Sequence, residues 1–179
     1  MEQNSIFMDL KKEIREIADF PKKGINFKDI TTLLKNSDAL RYTTNVIVDN
    51  FKDAGITKVL GIESRGFIIG GAVACELFAG FVPVRKKGKL PAETIYENYA
   101  LEYGVDCVEI HADAINSEDV LLIHDDLLAT GGTAYATLQI AKRMNVRKIY
   151  FSFICDLGFI ETENKKKIKE YPNQILVNY

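Results

Sequence analysis

The chain has 179 residues, 47% of them hydrophobic and 27% charged, and a formal net charge of −2. That length suits one domain, able to bury roughly 70% of its unfolded surface without disulfides or metal. The composition is that of a soluble globular protein, and the lack of a basic excess argues against a general nucleic-acid binder while leaving room for small anions. Ile6, Leu10, Ile14 and Ile17 fall at helical spacing and predict an amphipathic helix over 3–17, ended before the loop from Pro21 to Gly24. Ser37-Asp38 caps a second predicted helix running to about Asp53. Lys58–Ile62 reads as a buried strand, Phe67–Phe78 as a helix rich in small residues, and Phe81–Val84 as a strand. A basic, turn-like stretch over 85–95 precedes two short strands, Tyr96–Leu101 and Cys107–His111, joined near Gly104. Strand Val120–His124, helix Thr133–Met144, strand Lys148–Ile154, helix Ile160–Glu170 and strand Ile175–Val177 complete the pattern.

Strands alternating with helices predict an α/β fold, a mostly parallel twisted sheet flanked by helices. Ligands of such sheets bind beyond the carboxyl ends of the strands, which directs attention to the loops after Ile62, Val84 and His124. Cys75, Cys107 and Cys155 are odd in number and outside any C-x-x-C pattern, fitting a reducing compartment and no zinc site. The charged N-terminal segment lacks the apolar core of a signal peptide. The apolar run from Phe67 to Val84 contains Glu76, three glycines and Pro83, so it reads as buried helix and strand rather than a membrane span. A cytoplasmic protein with no nucleic-acid and no membrane partner is expected.

Val120 to Thr133 is the most informative segment. An apolar strand delivers adjacent carboxylates, Asp125 and Asp126, and the loop Ala129, Thr130, Gly131, Gly132, Thr133 turns into a helix. Glycines let backbone N–H groups approach an anion, threonines add hydroxyls, and the helix start adds positive partial charge. This makes a phosphate cradle without the lysine of a Walker A loop. Carboxylates repel phosphate but suit sugar hydroxyls or a shared Mg²⁺, so the combination describes a ribose 5-phosphate site. From the residues alone, Glu63-Ser64-Arg65-Gly66 is either a second anion loop or an ordinary helix start. Arg85, Lys86, Lys87 and Lys89 are either leaving-group neutralisers or a solvated basic face. Phe27 is a purine-stacking ring or a core anchor, and Glu102 a lid carboxylate or a surface residue.

Asp125-Asp-Leu-Leu-Ala-Thr-Gly-Gly-Thr133 resembles the phosphoribosyl-pyrophosphate motif of the type I phosphoribosyltransferases, in the form of their adenine-specific branch. The segments 19–30, 61–67, 82–91 and 101–104 resemble that family's purine-contacting, pyrophosphate, basic and catalytic-lid segments, so the likeness spans about 14–145. The resemblance implies a single domain over 1–179, with a small N-terminal hood over 1–34 and a flexible lid over 86–110. It implies transfer of the 5-phosphoribosyl group from phosphoribosyl pyrophosphate to adenine, giving AMP and pyrophosphate, with Mg²⁺ held mainly through substrate and water. It implies a homodimer and a cis peptide between Glu63 and Ser64. Asp125 and Asp126 would hold ribose hydroxyls, and residues 129–133 the 5-phosphate. Glu63, Ser64, Arg65, Arg85, Lys86 and Lys89 would hold pyrophosphate. Phe27 and Leu127 would sandwich adenine, with the backbone of Asn26 and Lys28 reading its edge. Glu102 would be the catalytic proton handler and Tyr103 a lid residue. His124 stands where the family is usually aliphatic, and it is given no catalytic role. A 6-oxopurine transferase and a non-catalytic sensor of phosphoribosyl pyrophosphate are the rival functions.

Overall fold

The computed structural model describes residues 8–100 and 104–179. The N-terminal segment carries helix Leu10–Glu13 (α1), strands Arg15–Ile17 (β1) and Phe27–Asp29 (β2), and helices Thr31–Lys35 (α2) and Ser37–Phe51 (α3). The helix expected over 3–17 is thus a single turn among its described residues. Beyond Ile14 the chain extends, and Arg15, Glu16 and Ile17 pair antiparallel with Asp29, Lys28 and Phe27. Apolar spacing placed Ile14 inward correctly, but beyond it the backbone pairs with β2, and the Arg15 side chain bonds Asp29 across that pair. Asn36, rather than Ser37, caps α3, its side chain accepting from the Asp38 and Ala39 N–H groups at 3.0 and 3.3 Å.

The chain then runs through β3 (Lys58–Ile62), α4 (Gly66–Glu76), β4 (Gly80–Lys86), β5 (Thr94–Ala100), β6 (Val105–His111), β7 (Val120–Leu128), α5 (Gly132–Arg143), β8 (Lys148–Asp156), α6 (Glu163–Lys169) and β9 (Asn173–Asn178). Seven strands form one sheet in the order β5-β6-β4-β3-β7-β8-β9. β4/β3, β3/β7, β7/β8 and β8/β9 pair in parallel, and β6 pairs antiparallel with both β4 and β5. The expected mostly parallel sheet is therefore present, with an antiparallel hairpin at one edge.

Both faces of the central strands are buried, which is why they read as continuous apolar runs. Leu60, Leu121 and Ile123 pack with α5 and with Ile168 of α6, while Val59 and Leu122 pack with Ile47 of α3 and with Ile69 and Val73 of α4. Among the described residues no helix is long and apolar enough to cross a membrane.

Two strands run further than their apolar stretches. β4 continues through Arg85 and Lys86, which pair with Glu109 and Val108. β7 continues through Asp125 and Asp126 to Leu128, and Leu127 and Leu128 pair with Cys155 and Asp156 of β8. These charged residues lie at the carboxyl ends of parallel strands, where such sheets meet their ligands, and in β7 they are largely buried.

Candidate active site

Parallel register brings the polar segments together. Ile62 stands beside Val84, so the next residues, Glu63 and Arg85, are level at the carboxyl ends of β3 and β4. Glu63 Oε2 and Oε1 accept from Arg85 Nε and Nη2, both at 3.2 Å, and Oε2 also accepts from the Lys86 N–H at 3.0 Å. Burial opposes ionisation of Glu63, yet Arg85 and this N–H hold its carboxyl below the ordinary range. The Glu63 N–H itself is committed to the sheet, donating to the Val84 carbonyl at 2.9 Å. The Glu63–Ser64 peptide is cis, as the resemblance implied.

On the other side of β3, Gly61 stands beside His124, which carries Asp125 and Asp126 past the end of the pair. Arg65, immediately before α4, places its Nε 2.9 Å from Asp126 Oδ2. Its guanidinium also lies 5.2 Å from the centre of the Phe27 ring, so Phe27, Arg65 and Asp126 form one connected group. Gly66 makes that approach possible. A Cβ there would meet the His124 carbonyl at 2.9 Å and Asp125 Oδ1 at 3.0 Å, so α4 starts against β7 without a side chain between them. Burial and the neighbouring Asp126 charge raise the Asp125 carboxyl well above its usual value. Burial raises Asp126 as well, against the pull of Arg65.

The turn after β7 has the form expected of an anion loop. Gly131 adopts φ 77°, a left-handed conformation that an L side chain rarely takes, and α5 begins at the next residue. The Gly132 N–H makes only a long 3.4 Å contact to Thr130 Oγ1, and the first turn of any helix leaves N–H groups without intrahelical acceptors. Tyr99 of β5 closes over this helix start, its Cδ2 3.0 Å from where a Gly132 Cβ would lie.

The remaining expected residues distribute around this core. Phe27 opens β2 rather than lying in a loop, and packs edge-on to Phe20 at 5.2 Å. Leu127 is half-buried in β7 beside Cys155. The Asn26 amide donates to Glu16 Oε2 at 2.7 Å, and the buried Lys28 ammonium pairs with the same oxygen at 2.7 Å, 3.9 Å from the Tyr179 ring centre. Both side chains are thereby turned to Glu16 of β1, and that of Lys28 also to Tyr179. Lys86 does not stand with Arg85. Its ammonium contacts Asp106 and the Tyr99 hydroxyl, and that hydroxyl donates to Asp106 Oδ2 at 2.9 Å. Lys89 offers its carbonyl to Arg85 Nη1 at 3.1 Å, while its N–H donates to Glu109 Oε1 at 3.1 Å. Glu102 and Tyr103 lie outside the described residues.

Sequence reasoning missed Tyr99 and Asp106. The β5–β6 register sets these two opposite each other, and a strand join read near Gly104 does not by itself fix that register.

A parallel sheet whose strand ends gather a glycine anion turn, two adjacent carboxylates and guanidinium groups suits a phosphorylated sugar. No protein-family model matches the chain. The adenine phosphoribosyltransferase of Phocaeicola vulgatus is 52% identical over 169 residues, covering 94% of each chain. The chain belongs to the adenine phosphoribosyltransferases. Its fold is theirs too. The crystal structure of the adenine phosphoribosyltransferase of Rhodothermus marinus matches 95% of this chain and 96% of its own, with a TM-score of 0.87 and 46% identity. That of Giardia lamblia, complexed with 9-deazaadenine, has a TM-score of 0.88 and 36% identity over 96% of both chains.

Proposed function

We propose that this chain joins adenine to the 5-phosphoribosyl group of phosphoribosyl pyrophosphate, releasing pyrophosphate and forming AMP. The observation that carries this reading is the meeting of Arg65, Asp126 and Phe27 beside the Gly131 turn, in a chain of this family. Adenine N9 forms a bond to ribose C1′ as the bond from C1′ to the pyrophosphate oxygen breaks. Displacement at an anomeric carbon develops oxocarbenium character, so the protein's contribution is alignment, leaving-group neutralisation and exclusion of water.

In this reading the turn 129–133 takes the 5-phosphate, and Asp125 with Asp126 accepts hydrogen bonds from the ribose hydroxyls. Ser64, Arg65, Arg85, Lys86 and Lys89 receive pyrophosphate, with Glu63 as the partner that holds Arg85 in place. Arg65 and Lys86 each engage a carboxylate of the chain, so pyrophosphate must draw them from Asp126 and Asp106. Adenine enters between Phe27 and Leu127, displacing the guanidinium from the Phe27 ring, and the main chain at Asn26 and Lys28 reads its edge. Glu102 accepts the proton from the purine imidazole nitrogen, and Tyr103 belongs to the closing lid.

Asp125 and Asp126 suit a hydrated Mg²⁺, which prefers oxygen ligands and keeps several waters. No group of three or more His, Cys, Asp or Glu gathers into a metal cage among the described residues, so substrate oxygens and water would supply most ligands. When bound, Mg²⁺ would neutralise pyrophosphate charge. Residues 1–34 act as the purine hood and 86–110 as the lid of one domain. The free thiols of Cys75, Cys107 and Cys155 support a cytoplasmic setting. A homodimer is supported by α4, an apolar helix that leaves Ile68 about half exposed, next to Phe78, which is 99% exposed.

The test replaces Asp125 and Asp126 together by Asn. AMP formation from adenine should fall about 100-fold or more while the circular dichroism spectrum is unchanged, since each lost charged hydrogen bond costs about 1.5–3 kcal/mol. Near-normal turnover in that variant contradicts the ribose assignment.

A further inference from the structure

The anion turn is held from behind by a helix that the proposed reaction does not use. Thr162, the cap of α6, donates its hydroxyl to the Thr130 carbonyl at 2.6 Å and accepts from the Lys165 N–H at 3.1 Å. Gly131 rests on the same first turn. A Cβ at Gly131 would lie 3.2 Å from Lys165 Cγ, 3.3 Å from the Lys165 backbone nitrogen and 3.1 Å from Ile168 Cδ1. The helix is itself anchored from inside. The Lys165 side chain is only 5% exposed, its ammonium donates to the Leu157 carbonyl at 2.7 Å and contacts the buried carboxylate of Asp156, and Lys169 Nζ reaches the same carboxylate at 2.8 Å. The Leu157 N–H in turn donates to the Leu128 carbonyl at 3.0 Å, at the root of the turn. Strand ends, turn and helix are thus tied into one unit.

The peptide between Thr130 and Gly131 is trans, so its carbonyl and N–H point in opposite directions. Fixing the carbonyl on Thr162 therefore aims the Gly131 N–H away from α6, out of the front of the turn. The buried cluster adds charge of the right sign, because two ammonium groups face one carboxylate directly behind an anion site.

We propose that Thr162 is a positioning residue of the 5-phosphate loop: held on α6 by the buried Lys165–Asp156 pair, its hydroxyl turns the Thr130–Gly131 peptide so that the Gly131 N–H faces the substrate phosphate. This inference rests on the assignment of 129–133 to the 5-phosphate. Thr162 touches no substrate and acts only through the turn.

Binding of ribose 5-phosphate to the full chain, measured by calorimetry, tests it without needing turnover. Thr162→Val should weaken binding about fivefold or more, the worth of roughly one hydrogen bond, and raise the KM for phosphoribosyl pyrophosphate in parallel while leaving the KM for adenine unchanged. Thr162→Ser, which keeps the hydroxyl, should restore both to within twofold of the wild-type chain. Lys165→Met should weaken ribose 5-phosphate more than Thr162→Val does. A Thr162→Val variant that binds ribose 5-phosphate within twofold of wild type overturns the proposal, as does equal weakening by the Ser and Val replacements. Failure of the wild-type chain to bind ribose 5-phosphate would instead overturn the loop assignment, and the inference with it.

Discussion

Acidification should destabilise this protein through His124 before most carboxylates titrate. The imidazole is fully buried in β7 against α4, with Cδ2 3.3 Å from the position of a Gly70 Cβ, and neither ring nitrogen has a well-formed hydrogen-bond partner. Burial, outweighing the pull of the Ser152 backbone, pushes its pKa down to about 4 from an ordinary 6.5. Between those values the unfolded chain takes up a proton that the folded chain refuses, so stability is intact above pH 6.5 and declines as pH falls toward 4. At pH 5 the deficit relative to pH 7.5 is about 2 kcal/mol, or roughly 4–8 °C in Tm for a chain of this size. Asp125 and Asp126 work in the opposite sense, since raised carboxylates favour the folded state as pH falls. The contribution of His124 is therefore read as a difference. Urea unfolding followed by circular dichroism from pH 7.5 to 5, at fixed protein concentration, should be compared for the wild-type chain and His124→Leu. The variant should gain about 1 kcal/mol at pH 7.5 by removing the unpartnered nitrogens, and its lead should grow by about 2 kcal/mol at pH 5. Parallel stability curves for the two proteins would refute the reasoning.

Three further outcomes follow from the site. Arg65→Met leaves the buried Asp126 without its cation, so it should destabilise the fold by about 1–3 kcal/mol and cut kcat/KM for phosphoribosyl pyrophosphate about 100-fold. Asp126→Asn in the same chain should recover the stability but not the activity. Gly131→Ala forces a side chain into φ 77° and against Ile168 and Lys165. It should cost about 1–3 kcal/mol in denaturant unfolding and raise the KM for phosphoribosyl pyrophosphate, not for adenine. Asp106→Asn releases Lys86 from its carboxylate, so pyrophosphate should inhibit at about threefold lower concentration, measured with both substrates at fixed levels.

The central sheet was legible because its strands are apolar on both faces and its helices are punctuated by caps and glycines. Val120–Ile123 and Lys148–Ile154 needed no tertiary information. The ends of strands were read short wherever charge entered them, at Arg85–Lys86 and Asp125–Asp126. Their backbones pair because the neighbouring strand is there, not because of their own propensity. The β1–β2 pair was invisible for the same reason, since Arg15–Ile17 follows an apolar pattern of helical period and takes its conformation from its partner strand. At the site, the residue types and their chemistry were readable from the Gly131 turn and the paired aspartates. Their present partners were not. The Arg65–Asp126 and Arg85–Glu63 contacts depend on parallel register, and the Thr162–Thr130 contact on a helix packing 32 residues downstream.

The most direct test of the functional account is a purine panel. With phosphoribosyl pyrophosphate and Mg²⁺ fixed, kcat/KM is measured for adenine, hypoxanthine and xanthine, with the nucleotide product identified. Adenine should be converted to AMP at least about 100-fold more efficiently than either 6-oxopurine, whose edge reverses donor and acceptor against the main chain proposed to read a 6-amino group. Faster consumption of hypoxanthine or xanthine would contradict the account, and so would tight binding of the sugar phosphate with no turnover of any base.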